Sequence, residues 1–172
     1  MLRKQIYDRR IHMKILVLSD SHGSLRNVQK AVDKYGVNAD IIVHCGDAPR
    51  GETEWLTEFC KNSTVVCVRG NCDFTTCERK DVELLTVEGK TIMVTHGHLF
   101  NAKFGLERLS YAGEERGADI VLFGHTHIPT DETIGKVRLI NPGSCSFYNP
   151  TCAVVEIDSK GNVLVNHLDI PQ

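Results

Sequence analysis

The feature that most constrains this chain is a repeated local event: a short apolar run stops abruptly at a polar segment rich in Asp, Asn or His. It happens at Asp20-Ser21-His22-Gly23, Gly46-Asp47, Gly70-Asn71-Cys72-Asp73, Thr95-His96-Gly97-His98 and Gly124-His125-Thr126-His127. Apolar, β-branched runs of this length read as buried strands, and the spacing between them decides how they pair. Lys14–Ser19 is followed by Leu25, Val28, Ala31, Val32 and Tyr35 at helical spacing, with Ser24 placed as N-cap. Asp40–His44, a helix over about Thr53–Lys61 and the strand Thr64–Val68 come next. Strand, helix, strand, helix, strand is the pattern of a parallel sheet with helical crossovers.

The second half changes rhythm. Val82–Val87 and Lys90–Thr95 flank Glu88-Gly89, a hairpin signal. A helix is predicted over about Gly105–Arg116, with Gly117 as its stop, before the strand Asp119–Phe123. The tail alternates strands and turns: Thr130–Ile134, Lys136–Ile140, Cys152–Ile157 and Val163–Leu168. Mixed sheets with helices outside predict an α/β fold, a four-layer α-β-β-α sandwich of two mixed sheets with flanking helices. No repeat or linker divides it, so residues 13–172 are expected to form one domain. In open α/β sheets ligands bind beyond the carboxyl ends of the strands, where all five polar segments fall.

Bulk properties narrow the function. With 172 residues, 41% hydrophobic and 24% charged, the chain has the composition of an ordinary globular protein. A net charge of −2 provides no extended nucleic-acid surface and no attraction to an anionic membrane. Apolar stretches such as Ile15–Leu18 are too short to span a bilayer. Seven cysteines without a C-x-x-C pair read as reduced thiols, several of them (Cys45, Cys67, Cys145, Cys152) small hydrophobes in apolar runs, and the expected location is cytoplasmic. Residues 1–12 carry Arg3, Lys4, Arg9 and Arg10 but no apolar signal core, and read as a basic, dispensable extension before a fold that begins near Met13.

The polar segments supply carboxylates, imidazoles and an amide, ligands suited to borderline divalent metals. In extended backbone Asp20 and His22 would project the same way, and so would His125 and His127. Asp47 has two oxygens and can bridge two cations. Any one segment occurs by chance in many proteins; their conjunction at successive strand ends is what carries the reading.

In this order, Asp-x-His, Gly-Asp, Gly-Asn-x-Asp, His and Gly-His-x-His resemble the calcineurin-like metallophosphoesterase superfamily. Gly70-Asn71-Cys72-Asp73 and Asn141-Pro142-Gly143-Ser144 resemble its compact, YfcE-like phosphodiesterase branch. The resemblance runs from Met13 to the end. It implies one metal held by Asp20, His22, Asp47 and His127, and a second by Asp47, Asn71, His96 and His125. Manganese is the activating metal it implies first, with iron, nickel and zinc as alternatives. Asp73 is expected to orient a ligand imidazole. The implied reaction is hydrolysis of a small phosphate diester by a metal-bridging hydroxide, the two cations sitting about 3.5–4 Å apart. Asp47 and Asn71 would thus serve catalysis as well as metal binding. A homodimer is a family-level expectation.

The chain departs from the wider superfamily at Cys72, where many members carry His. A thiol is a weak donor and cannot supply an imidazolium charge. Cys72 is read as a small, partly buried filler, and His98 as the substitute group for contacting phosphate. Losing the imidazole favours diesters with good leaving groups. His44 is read as a packing residue and His12 and His167 as peripheral, while Arg26, Arg50 and Arg69 are read as solvated or salt-bridged. Phe74, Thr75, Thr76, Phe100, Asn101 and Phe104 are candidates for a substrate rim. The alternatives are a phosphomonoesterase or nuclease of the same fold, or a non-catalytic scaffold like the retromer subunit of this superfamily. A scaffold can lose its ligands; here every family ligand position is filled.

Overall fold

The computed structural model describes residues 12–73, 78–146 and 148–171. Its first three strands, β1 (His12–Leu18), β2 (Ile41–His44) and β3 (Thr64–Cys67), alternate with helices α1 (Leu25–Tyr35) and α2 (Glu52–Phe59). They pair in parallel, with Ile15 beside Ile41 and Ile41 beside Thr64. The hairpin β4 (Val82–Val87) and β5 (Lys90–Thr95) follows, then α3 (Glu107–Glu115), β6 (Ile120–Leu122), β7 (Thr130–Ile134), β8 (Val137–Asn141), β9 (Thr151–Asp158) and β10 (Val163–Asp169). Sheet one has the order β10-β9-β1-β2-β3 and sheet two β4-β5-β6-β8-β7. Each has a parallel centre, β1-β2-β3 in one and β5-β6-β8 in the other, with antiparallel strands outside.

Alternation along the central strands builds three apolar layers. Ile15 and Val17 of β1, with Val43 and Val155, meet Ile92, Val94, Ile120 and Leu122 between the sheets. Leu16 and Leu18, on the opposite face of β1, pack with Val28, Ala31 and Leu56 of α1 and α2. Met93, Val121 and Leu139 do the same against Leu109 and Ala112 of α3. The result is the predicted four-layer sandwich, helices outside and two sheets within. Central strands covered on both faces account for the near-continuous apolar runs.

Local chemistry sets the joints. Glu88 and Gly89 both take positive φ, 46° and 74°, the conformation a two-residue hairpin turn needs. Gly117, with φ 67°, ends α3. Three expectations shift. Ser24 occupies the N-cap position of α1, but its side chain makes no capping hydrogen bond. α2 covers Glu52–Phe59 rather than Thr53–Lys61. α3 starts at Glu107, because Gly105 sits at φ 147°, and the stretch before it forms two short 3-10 turns, His98–Phe100 and Ala102–Phe104. Of the basic extension, residues 1–11 lie outside the described residues; His12 belongs to β1, opposite Asp158.

The layer assignment predicts a contrast. Ile15→Ala, which empties a fully buried position between the sheets, should cost roughly 2–5 kcal/mol in denaturant unfolding. Leu84→Ala, on half-exposed edge strand β4, should cost less than about 1 kcal/mol. Equal losses would contradict the assignment.

Candidate metal centre

The parallel strands of both sheets deliver the polar segments to one place. Asp20 and His22 follow β1, Asp47 follows β2, Asn71 follows β3, His96 and His98 follow β5, and His125 and His127 follow β6. The backbone there differs from the extended form expected from the sequence. Asp20, His22, Asp47, His125 and His127 all take positive φ, 53°, 46°, 57°, 67° and 61°. Left-handed backbone at a residue with a Cβ costs about 1–2 kcal/mol, and its concentration at five candidate ligands marks a site held against local preference. Alternation along an extended strand is therefore not what aims these side chains. Left-handed bends do it, held by Asp20 N–H to the Gly46 carbonyl (3.0 Å), His22 N–H to the Asp47 carbonyl (3.2 Å) and the Ser144 hydroxyl to the Asp20 carbonyl (2.9 Å).

At the centre are two buried carboxylates ringed by imidazoles. Asp20 Oδ1 lies 3.0 Å from His127 Nε2, 3.8 Å from His22 Nε2 and 3.9 Å from His96 Nε2. Asp47 Oδ2 is 3.4 Å from His96 Nε2 and 3.8 Å from His22 Nε2. Asn71 Oδ1 lies 3.1 Å from the same His96 nitrogen. The Nε2 atoms of His22 and His127 face one another at 3.3 Å. His125 packs edge-on against His96, ring centres 5.0 Å apart. Potential ligand atoms of Asp20, His22 and His127 lie within 4.8 Å of one another, as do those of Asp20, Asp47 and His96. Asp20 Oδ1 is buried and makes no hydrogen bond of acceptable geometry, although imidazole nitrogens surround it. A divalent cation satisfies such a donor set.

The electrostatics agree. Burial pushes the Asp20 carboxyl up, but the close His127 imidazole, 3.0 Å away, and the charge of His96 outweigh it and hold it below the usual carboxylate range. The same contest at Asp47, where His96 and the Cys72 N–H oppose burial, also ends low. Both stay anionic. Burial lowers the His96 pKa, yet Asp47 and Asp20 raise it overall, and the adjacent Asp20 carboxylate raises that of His127. Burial, then His96 and Lys103, depress His125 to about 4, so its ring is a neutral donor near pH 7.

The glycines are steric requirements. A Cβ at Gly70 would overlap the Asp47 carboxylate, and one at Gly124 would overlap the Ser19 hydroxyl and crowd Asp20 Oδ2. The predicted neighbours differ in detail. Asp73 touches no imidazole; its Oδ2 accepts the N–H groups of Gly70 (2.7 Å) and Asp47 (3.0 Å), positioning Asp47 through the main chain. Cys72 is exposed rather than a partly buried filler. Its N–H donates to Asp47 Oδ1 at 2.7 Å, and its sulfur lies within 4.8 Å of potential ligand atoms of His22 and Asp47. His98 is half-buried, its ring 5.3 Å from His96 and 6.1 Å from His125. Arg69 pairs with Asp81, and Arg26 and Arg50 are exposed. His12 is exposed at the start of β1, while His167 holds the Asn141 carbonyl at 2.7 Å. Of the rim candidates, Phe100 packs against the α3 core, Phe104 is 93% exposed and Asn101 takes φ 55° between the two 3-10 turns. Phe74, Thr75 and Thr76 lie outside the described residues.

Two contributors escaped the sequence reading. Arg79 lies 3.5 Å from Asp73 and donates to the Ala48 carbonyl at 2.9 Å. Glu52 is 3% exposed, with Ser21 and His44 beside its carboxylate. The site itself is open: His22, Asn71, Cys72 and His127 all reach solvent. A hollow of about 490 Å³ lies at the amino ends of β2 and β3, lined by Gly36, Asp40, Phe59 and Ser63 among others, and shares no residue with this centre.

Fold and donor set together describe a metal-dependent phosphoesterase, and the comparison with known proteins agrees. Residues 13–160 match the calcineurin-like phosphoesterase superfamily domain, and the chain belongs to that superfamily. It is 39% identical over 132 residues to the probable metallophosphoesterase YsnB of Bacillus subtilis, covering 77% of this chain and 75% of that one. It is 30% identical over 161 residues to the phosphodiesterase YfcE of Escherichia coli, covering 78% and 80%. A crystal structure of a predicted phosphoesterase from Streptococcus pneumoniae superposes with a TM-score of 0.71 at 29% identity, over 92% of this chain and 98% of that one. The resemblance drawn from the motifs is borne out.

Gly70→Ala should destabilise the protein by about 1–3 kcal/mol, because the new methyl group must displace the Asp47 carboxylate or the main chain. Thermal unfolding with and without added metal checks it, and an unchanged melting temperature in both would refute the close approach.

Proposed function

We propose that the protein is a dinuclear metal-dependent phosphodiesterase acting on a small phosphate diester. One observation carries this reading: imidazole nitrogens with no reason to crowd together do so around two buried carboxylates, His22 and His127 meeting at 3.3 Å beside Asp20. A divalent cation is the partner that suits this mixed carboxylate and imidazole set. Asp20, His22, Asp47 and His127 would hold one ion, and Asp47, Asn71, His96 and His125 a second, with Asp47 shared between them. When bound, two such ions supply Lewis acidity, lowering the pKa of a water and neutralising charge at the phosphate. Manganese is our first assignment on the resemblance to the superfamily; the mixed oxygen and nitrogen donors suit iron, nickel or zinc equally.

The chain's own residues do the rest. Asp73 and the Cys72 N–H fix the Asp47 carboxylate in orientation. His98, its pKa lowered by burial and by His96, is a neutral imidazole positioned to donate a hydrogen bond to a phosphate oxygen. Ser21 is engaged by Glu52 and Ser144 by Asp20 and Ser146, so neither hydroxyl is free to act as nucleophile. The open rim and the thiol of Cys72, where an imidazole would assist a poor leaving group, favour diesters with good leaving groups. The filled ligand set argues against a pure scaffold. Among the described residues no helix is long and apolar enough to cross a membrane; we place the enzyme in the cytoplasm on its free thiols.

The metal-stripped protein should regain diester turnover with manganese, and Asp47→Asn or His125→Ala should each lower it by at least a hundredfold while leaving circular dichroism unchanged. No metal-dependent turnover on diester, monoester or cyclic nucleotide substrates would favour the scaffold. Cys72→His should raise monoester turnover relative to diester; an unchanged ratio would remove Cys72 from the selectivity argument.

A further inference from the structure

Beneath the ligand loops lies a buried polar group that the proposed reaction does not use. Glu52 opens α2, a helix position where an acidic residue ordinarily meets solvent and favours the N-terminal dipole. Here its side chain is 1% exposed. Its Oε2 accepts the Ser21 hydroxyl at 2.8 Å, and its Oε1 lies 3.0 Å from His44 Nε2, whose side chain is fully buried. His44 Nδ1 accepts the N–H of Gly46 at 3.3 Å, which ties the ring facing Glu52 to the main chain just before Asp47. Ser21 sits between Asp20 and His22. His44 and Gly46 lead into Asp47. One carboxylate therefore fastens both loops that carry three of the candidate ligands.

The fastening matters because those ligands need it. Asp20, His22 and Asp47 each hold left-handed backbone, a conformation that persists only where the surroundings over-determine it. The Ser21 hydroxyl also approaches the Asp47 carbonyl at 3.4 Å, so the contacts of Glu52 reach the second loop by two routes. Glu52 Oε2 is engaged by the Ser21 hydroxyl, while Oε1 and His44 Nε2 face one another at 3.0 Å without a hydrogen bond of acceptable geometry, a contact that removing Ser21 would leave as the carboxylate's main tie.

We infer that Glu52 is a positioning residue for the metal centre: acting through Ser21 and His44, it holds Asp20, His22 and Asp47 in the geometry that binds the cations. It touches neither metal nor substrate. Loss of such outer support typically lowers metal affinity about 10–100-fold. The inference rests on the proposed metal centre, and the experiment separates the two. Manganese binding to full-length protein is measured by calorimetry for the unaltered chain, Glu52→Gln, Ser21→Ala and the double variant, with melting temperatures taken in chelator. Each single variant should bind manganese at least about tenfold more weakly, and the double variant little worse than the weaker single, since both break one connection. Glu52→Asp should recover part of the affinity. A purely structural role predicts a lower melting temperature in chelator with manganese affinity within twofold of the unaltered protein, and that result overturns the inference alone. If Glu52→Gln fails to fold, Ser21→Ala, which removes one hydroxyl, decides by the same criterion. Absence of manganese binding by the unaltered protein would overturn the metal reading and this inference with it.

Discussion

The Asp20 carboxylate is the joint on which the two halves of the molecule meet. Its Oδ2 accepts the Ser19 hydroxyl at 2.5 Å and the His125 N–H at 3.0 Å, so the loop after β1 is bound to the loop after β6. Its main-chain N–H goes to Gly46, and its carbonyl receives Ser144 from the segment after β8. One residue thus links the segments after four strands, β1, β2, β6 and β8, across the two sheets. The apolar layer between the sheets brings them to contact distance but is non-directional. Asp20 adds direction at the end of that layer where the chemistry lies.

That joint carries a tension that explains the composition of its surroundings. Two buried carboxylates and the imidazoles around them are desolvated, and a desolvated anion without a full set of partners is unfavourable. Ser19, the His125 N–H and the Cys72 N–H satisfy the oxygens turned away from the centre, Asp20 Oδ2 and Asp47 Oδ1. The oxygens turned inward, Asp20 Oδ1 and Asp47 Oδ2, are left to the imidazoles. Each carboxylate is thus divided into a structural oxygen and a free one. The division makes them competent to receive cations without rearrangement, and the nearby Gly46, Gly70 and Gly124 let the backbones approach closely enough for it.

How much of this was legible in the sequence follows from how local each cause is. The hairpin at Glu88-Gly89 has the bounds its turn chemistry predicts, and the buried strands fall where their apolar runs fall. The candidate ligands were legible for the same reason: strand ends in parallel sheets share an edge. Their backbone was not. Periodicity speaks of regular structure, and the left-handed bends at Asp20, His22, His125 and His127 are imposed by contacts from other loops. Asp73 was expected against an imidazole because it follows Asn71 and Cys72, yet it turns to main-chain N–H groups that sequence cannot place. Glu52 was hidden most completely. An acidic residue in the first turn of a helix is what a solvated surface would show, and only the docking of α2 over the loop after β1 buries it.

These particulars bear on why the same site reads clearly for metals and poorly for substrate. Metal binding depends on atoms held by the interior: Asp20, Asp47 and His96 are buried, and each has a main-chain or side-chain partner outside the centre. Substrate recognition depends on what surrounds them, and there the side chains are loosely held. His22, Cys72 and His127 are exposed, and Leu99, Phe104 and Ile128 on the adjacent loops stand largely free of the core. His98 and Cys72 both sit beside the ligand cluster, on loops from different sheets. One offers a neutral ring and the other a weakly acidic thiol, its pKa raised to about 11 by partial desolvation at the cluster edge and by the Asp47 carboxylate. Neither supplies the positive charge that an imidazolium would place beside the ligand cluster.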